Sequence, residues 1–201
     1  ARSDGPAFGV AEFSDHVRET HVPHSTALHA TLDGHQHLTG PLARYALNHE
    51  LLSPLAREAA AAAGLGAECR NPFRSIIVRA VEVVYAVQEA LRIIEDYERP
   101  ARPYLEVEPR PGVGHGVSEA PRGLLYHRYE IDESGRIGAA LIVPPTSQNQ
   151  AAIEADLARV VLAGEALDDA ALTTLCERAI RNYDPCISCA THFLTLRVDR
   201  R

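Results

Sequence analysis

The densest group of potential metal ligands lies near the C-terminal end, where Asp184-Pro185-Cys186-Ile187-Ser188-Cys189-Ala190-Thr191-His192 sets two thiols three positions apart and an imidazole three further on. A thiolate is a soft anionic ligand, and two of them separated by two residues can turn toward one metal ion, as in zinc and iron–sulfur sites. A thioredoxin-type redox pair needs a βαβ setting and a helix beginning after the first cysteine, and neither is legible here. A closed structural zinc site needs four ligands, and this group supplies at most three. Two packed thiols are the inert alternative, because an unpaired cysteine behaves as a small hydrophobe. Pro185 fixes the backbone before Cys186 and Asp184 adds a carboxylate beside the pair, which favours a ligand site.

The elements that position this group read as mostly helical. A helix is expected from the Asn71-Pro72 cap to about Tyr97, with Ile76, Ile77, Ala80, Val81, Val84, Val87, Leu91 and Ile94 at helical spacing. Val78 and Val83 broaden its apolar stripe, so it is expected inside a helical bundle. One or two helices precede it between Gly40 and Gly66, and two more are expected over 148–163 and 169–182, the latter capped by Asp168 or Asp169 and running straight into the cysteine group. Asp33-Gly34 signals a hairpin turn, Pro100, Pro103, Pro109 and Pro111 break regularity, and the segments around Glu133-Ser134-Gly135 read as a second hairpin. The fold class is therefore mainly α with a small antiparallel β-element.

Composition bounds the function. The 201 residues are 46% hydrophobic and 23% charged with a net charge of −7, which describes a globular chain and argues against a nucleic-acid surface. No apolar run is long enough to cross a membrane and no signal peptide is legible, so a cytoplasmic setting is expected. The chain has no methionine and begins at Ala1, which suggests a processed product or a piece of something longer.

Three further stretches make the cysteine group more specific: Glu119-Ala120-Pro121-Arg122-Gly123, Val143-Pro144-Pro145-Thr146-Ser147-Gln148-Asn149-Gln150, and the long helix beginning at Asn71. Together with Val22-Pro23-His24-Ser25-Thr26-Ala27-Leu28-His29 and the Asp-Pro-Cys-x-x-Cys-x-x-His group, they resemble the large subunits of nickel–iron hydrogenases, in particular the cytoplasmic bifunctional or sulfhydrogenase branch linked to NAD(P). The similar segments run in order over nearly the whole chain, which would make residues 1–201 the C-terminal part of such a subunit.

The resemblance implies that Cys186 is a terminal nickel ligand, that Cys189 bridges nickel and an iron carrying cyanide and carbonyl, and that His192 holds Mg2+ (or Fe2+). Arg122 is implied over the open face of the metal pair, with Pro121 beside it and Asp184 orienting Arg122 or the cysteine loop. A main-chain carbonyl near Leu141 or Ile142 is implied in the magnesium shell. Where many members place a serine or threonine to donate to a cyanide, the aligned residue is Pro145, so Thr146 is expected to serve. The implied activity is reversible H2 oxidation, with a soft thiolate-rich metal and a nearby base splitting the molecule. Electrons would pass through an iron–sulfur small subunit and diaphorase-type flavin and iron–sulfur subunits to NAD(P). Residues 193–201 would be an extension cut off by a maturation endopeptidase.

The family's other two cysteines come from an Arg-x-Cys-Gly-x-Cys motif that this sequence lacks, so the chain alone is expected to be inactive. Cys69 and Cys176 have no cysteine neighbour and are expected to be packed. The rival readings are an inert or truncated hydrogenase-like scaffold or assembly module, and a structural zinc protein. His16, His21, His24 and His29 are expected in surface or hydrogen-bonded roles in preference to a second metal site. His35 and His37 are expected to be exposed, His115 and His127 packed, and Arg74 and Arg79 solvated or ion-paired.

Overall fold

The computed structural model describes residues 7–186 and 197, so Cys189, His192 and most of segment 193–201 lie outside the described residues. The elements run α1 (Phe13–His16), β1 (Val17–Thr20), β2 (His29–Leu32), α2 (Pro41–Asn48), α3 (Pro54–Ala62), α4 (Ser75–Glu95), β3 (Gly112–Ala120), β4 (Gly123–Ile131), β5 (Ile137–Val143), α5 (Pro145–Ala163) and α6 (Asp169–Arg181). β1 and β2 form an antiparallel ribbon, and β3, β4 and β5 form an antiparallel sheet in that order. The chain is mainly helical with small antiparallel sheets, as its patterning predicts.

The helix starts follow from side-chain caps. Asn71 Oδ1 accepts from Phe73 N at 3.0 Å ahead of α4, and Asp168 Oδ1 accepts from Ala171 N at 2.8 Å at the start of α6. α2, α3 and α4 bury Leu42, Tyr45, Ala56, Ala60, Val78 and Val81 around Cys69. Burying a valine as fully as Val78 contributes about 1.5–3 kcal/mol. A second cluster joins Phe13, Val17 and Ala30 to Tyr126 and Val143. There Phe13 stacks on Tyr126 with ring centroids 4.2 Å apart, and the Tyr126 hydroxyl meets His115 Nδ1 at 2.9 Å. His127 meets the Tyr129 hydroxyl at 2.9 Å and is half-buried, whereas His115, expected to be packed, is exposed on β3 and held there by the Tyr126 hydroxyl. Cys69 and Cys176 are buried, and burial pushes the Cys176 thiol up.

Several expectations change. Residues 112–120 form β3, which pairs residue for residue with β4 from Gly112↔Ile131 to Ala120↔Gly123. The glycines at 112, 114 and 116 erase the side-chain alternation that marks a strand, so ladder bonding alone defines it. Asp33-Gly34 does make a tight turn, but beyond it His35 pairs only with Leu32, and β2 finds its partner in β1. α4 packs on α2 and α3 through one side, while Ile76, Val83, Val87, Leu91 and Ile94 on the rest of its stripe are exposed. His37 is half-buried with both ring nitrogens out of solvent, and burial lowers its pKa. Arg74 donates to the carbonyls of Ala63 at 2.9 Å and Gly64 at 3.0 Å, capping α3 instead of pairing with a carboxylate.

Candidate functional site

The described half of the cysteine group is shaped by the end of α6. Tyr183 N and Asp184 N still donate to Ile180 O and Arg181 O, both at 3.1 Å, and Asp184 then turns into the left-handed region at φ 49. Pro185 has no N–H and cannot extend the helix, so the chain leaves α6 in a tight turn that presents Cys186 partly exposed. Two contacts hold this turn. Ser75 Oγ on α4 donates to Asn182 O, and the Tyr183 hydroxyl donates to the Asp156 carboxylate on α5.

Tyr183 is 8% exposed, and burial pushes its hydroxyl up to about 12, against the opposing charge of Arg159. An unfolded tyrosine titrates near 10. The neutral phenol therefore contributes stability that is whole below about pH 10 and lost as pH rises through about 12. The chain has no lysine, which leaves the alkaline range to tyrosines and thiols. Denaturant midpoints measured from pH 9 to 12 are expected to fall more steeply for the parent than for Tyr183→Phe; parallel curves would refute this account.

Arg122 comes from the Pro121-Arg122 turn between β3 and β4. Its Nε donates to the Asp184 carbonyl at 2.6 Å and lies 3.5 Å from the Asp184 carboxylate. The two side chains are 41% and 47% exposed, so the charge pair alone adds little, and the short main-chain bond positions the guanidinium. The other side of the turn is fixed by α5. Asn149, 5% exposed, donates from Nδ2 to Arg122 O at 3.1 Å and accepts Thr39 N at 2.7 Å. Gln148 donates to Leu124 O at 2.7 Å. Thr146 is buried in the same first turn of α5, where Pro145 is the first helical residue. Leu141 and Ile142 lie on β5, opposite Arg128 and His127.

Backbone approaches backbone where residues 39–40 meet 122–123. A Cβ on Gly40 (φ 99) would sit 2.6 Å from Arg122 O, and one on Gly123 (φ 142) would sit 2.1 Å from Thr39 Oγ1. Both positions therefore require glycine.

Arg44 of α2 carries the Glu119–Arg122 loop. Its Nε and Nη2 bind Glu82 at 2.8 and 3.0 Å, while Nη1 binds Glu119 and Ala120 O, both at 2.8 Å, and Nη2 also reaches Pro121 O at 3.0 Å. Burial opposes the charge of Arg44, but Glu82 and Glu119 outweigh it and raise its pKa. Replacing Arg44 with alanine strands the carboxylate of Glu82 and two carbonyls, at a cost of about 2–4 kcal/mol. Lysine is expected to recover less than half of that, because one ammonium cannot reproduce the fork on Glu82. Denaturant melts of the two variants check this; an alanine variant within about 0.5 kcal/mol of the parent would contradict it.

Arg79 of α4 completes the electrostatics. Burial lowers its pKa, Asp184 and Glu82 favour its charge, and Arg44 and Arg122 oppose it. Arg79 thus stands between two carboxylates, Asp184 and Glu82, and two further guanidinium groups, Arg44 and Arg122. Thr39, Ser75, Arg79, Arg122, Asn149 and Asn182 line a small cleft at this point. The buried Asn182 Nδ2 has no partner among the described residues. A thiol on a rigid turn beside fixed guanidinium charge fits a soft metal with anionic ligands.

The structure brings Arg122 against Asp184, with Pro121 and Cys186 next to them along the chain, while Cys189 and His192 lie outside the described residues. Sequence reading missed Arg44, Thr39, Gly40 and Asn149. The only local signals were Gly40-Pro41 before a helix and two consecutive amides, Gln148-Asn149, in the first turn of α5.

The chain is similar to known proteins over most of its length. Residues 27–192 match the family described as nickel-dependent hydrogenase. The chain is 33% identical over 196 residues to sulfhydrogenase 1 subunit alpha of Pyrococcus furiosus, covering 96% of this chain and 46% of that one. It is 34% identical over 165 residues to the NAD-reducing hydrogenase HoxS subunit beta of Cupriavidus necator, covering 77% of this chain and 34% of the relative. Among solved structures, an NAD+-reducing [NiFe]-hydrogenase in the H2-reduced state superposes with a TM-score of 0.73 at 27% identity, over 92% of this chain and 43% of that one. The chain spans less than half the length of these relatives. It belongs to the nickel-dependent hydrogenase family and corresponds to the C-terminal part of the large subunit.

Proposed function

We propose that this chain forms the C-terminal half of the catalytic subunit of a cytoplasmic nickel–iron hydrogenase that interconverts H2 with protons and electrons. In this reading electrons leave through iron–sulfur clusters of a small subunit and reach NAD(P) through diaphorase-type flavin and iron–sulfur subunits. The name of the NAD-reducing relative supports the NAD(P) end of that route. The observation that carries the reading is the 2.6 Å bond from Arg122 Nε to Asp184 O, which ties a guanidinium to the turn presenting Cys186.

Cys186 and Cys189 would hold the nickel–iron centre with its cyanide and carbonyl ligands through their thiolates, and His192 would hold Mg2+ or Fe2+. When bound, the nickel–iron centre supplies the soft Lewis-acidic pair against which the H–H bond is polarised. The chain's own residues supply the surroundings. Arg122 would set a positive charge beside the centre, Asp184 would hold that charge in register, and Pro121 and Thr146 would line the pocket for its anionic ligands. Guanidinium groups keep their protons far above neutral pH, which leaves a cysteine Sγ as the group that takes the proton. Two more thiolates would come from the part of the large subunit that this sequence does not include.

Metal analysis and infrared spectroscopy of the complete large subunit test the proposal. Nickel and iron in equal amounts with cyanide and carbonyl bands, and loss of nickel in Cys186→Ser, are expected. A metal-free protein would make the chain an inert scaffold, and zinc alone a structural zinc protein. Mass spectrometry of the mature subunit addresses the extension: an end at His192 supports cleavage by a maturation endopeptidase, and an end at Arg201 with full nickel refutes it.

A further inference from the structure

A second group of metal-binding side chains lies away from the cysteine turn. His24 sits in the loop between β1 and β2, His29 is the first residue of β2, and Glu154 is on α5, which packs against β2. One ligand atom from each lies within 4.8 Å of the other two. His24 Nε2 is 3.1 Å from Glu154 Oε2, and His29 Nε2 is 3.2 Å from Glu154 Oε1. A tetrahedral ion with bonds of about 2.0–2.1 Å sets its ligand atoms about 3.3 Å apart, so each histidine already stands at that spacing from one oxygen of Glu154, and the three side chains need only draw together from within 4.8 Å.

Hydrogen bonding accounts for the His24 contact, where Nε2 meets Glu154 Oε2 at 3.1 Å, but not for the approach of His29. His29 is 9% exposed, and its Nε2 is buried without a hydrogen-bond partner even though the carboxylate oxygen is 3.2 Å away. The two groups approach each other without the alignment of a donor and an acceptor, which is how ligands around a shared ion face one another. Glu154 is also held by its neighbour on α5, since Gln150 Nε2 donates to Oε1 at 3.1 Å, the kind of outer contact that orients a carboxylate ligand. The His24 side chain is 68% exposed, which lets it close on an ion and leaves one side of the site open to water.

We propose that His24, His29 and Glu154 form a mononuclear site for a divalent transition ion of the Zn2+ type, with water in the fourth position, that fastens the β1–β2 loop to α5. Two imidazoles and one carboxylate are a recurrent three-ligand set for zinc with an open position. The proposal stands apart from the hydrogenase reading, because it uses none of the residues assigned there.

Zinc added alone to the full chain tests it. Cys186→Ser/Cys189→Ser removes the competing thiols, and this background is expected to keep one zinc after desalting. Its X-ray absorption should show nitrogen and oxygen neighbours with imidazole scattering and no sulfur. His24→Ala or Glu154→Gln, added to that background, is expected to weaken zinc binding at least tenfold and to abolish a zinc-induced rise in Tm of roughly 5 °C. His24 is exposed, so its replacement leaves the core intact, and circular dichroism verifies the fold. A background protein that keeps no zinc, or a zinc that survives both substitutions, would overturn the proposal.

Discussion

Gly40→Ala is expected to cost about 3–5 kcal/mol and to loosen Arg122 from the Asp184 turn. Two terms add. At φ 99 an alanine is strained whatever its surroundings, and its Cβ would lie 2.6 Å from the carbonyl oxygen of Arg122. That oxygen belongs to the backbone of a tight turn, so it cannot swing aside as a flexible side chain would. Relief must come from moving residues 38–40 away from 122–123. Such a shift breaks the bond from Thr39 N to Asn149 Oδ1, after which Asn149 no longer steadies Arg122 O. A few kcal/mol is a large share of the stability of an ordinary domain. Urea denaturation of the variant reads the stability loss, and nickel content of the completed large subunit reads the effect on the site. A midpoint change equivalent to less than about 1 kcal/mol would show that this backbone approach is not as tight as the geometry indicates.

Residues 39–40 also show where sequence reading reached its limit. The helices were legible because each carries its own periodicity and cap: Asn71 before α4 and Asp168 before α6 announce themselves within four residues. The Pro121-Arg122 turn and the Asp184-Pro185-Cys186 turn were legible as motifs. What joins them was not, because every link is long-range and made by a residue type that is ordinary elsewhere. Arg44 reads as one more charge on an amphipathic helix until Glu82, Glu119 and two carbonyls surround it. Asn149 reads as a polar residue in a first turn, and only the fold sets it between Thr39 and Arg122. His24 and His29 matched no helical face and offered no third ligand nearby in sequence, since Glu154 is 125 residues beyond His29 and meets them through the packing of α5 on β2. α4 shows the opposite case. Its broad apolar stripe reads as bundle interior, yet among the described residues only one side is covered, so the sequence records a wider packing environment than the described residues supply.

Arg122→Lys, placed in the completed hydrogenase, is expected to lower H2 turnover by about 10²–10³-fold while leaving nickel and iron content unchanged. The expectation rests on the proposed function and on how the arginine is used. Its Nε is committed to Asp184 O at 2.6 Å, which leaves the two Nη groups to carry charge outward from the turn. A lysine has one ammonium on a flexible stem: it can bind the Asp184 carbonyl or project its charge, but not both. Asp184→Asn is expected to be much milder, about tenfold or less, because the acceptor that matters most is the main-chain carbonyl, and the carboxylate at 3.5 Å is half exposed. The two substitutions together separate positioning from charge. If charge near the turn were all that counted, lysine would be tolerated and asparagine would alter turnover strongly. A lysine variant turning over within about threefold of the parent, with its metals intact, would sink the role assigned to the Arg122–Asp184 bond.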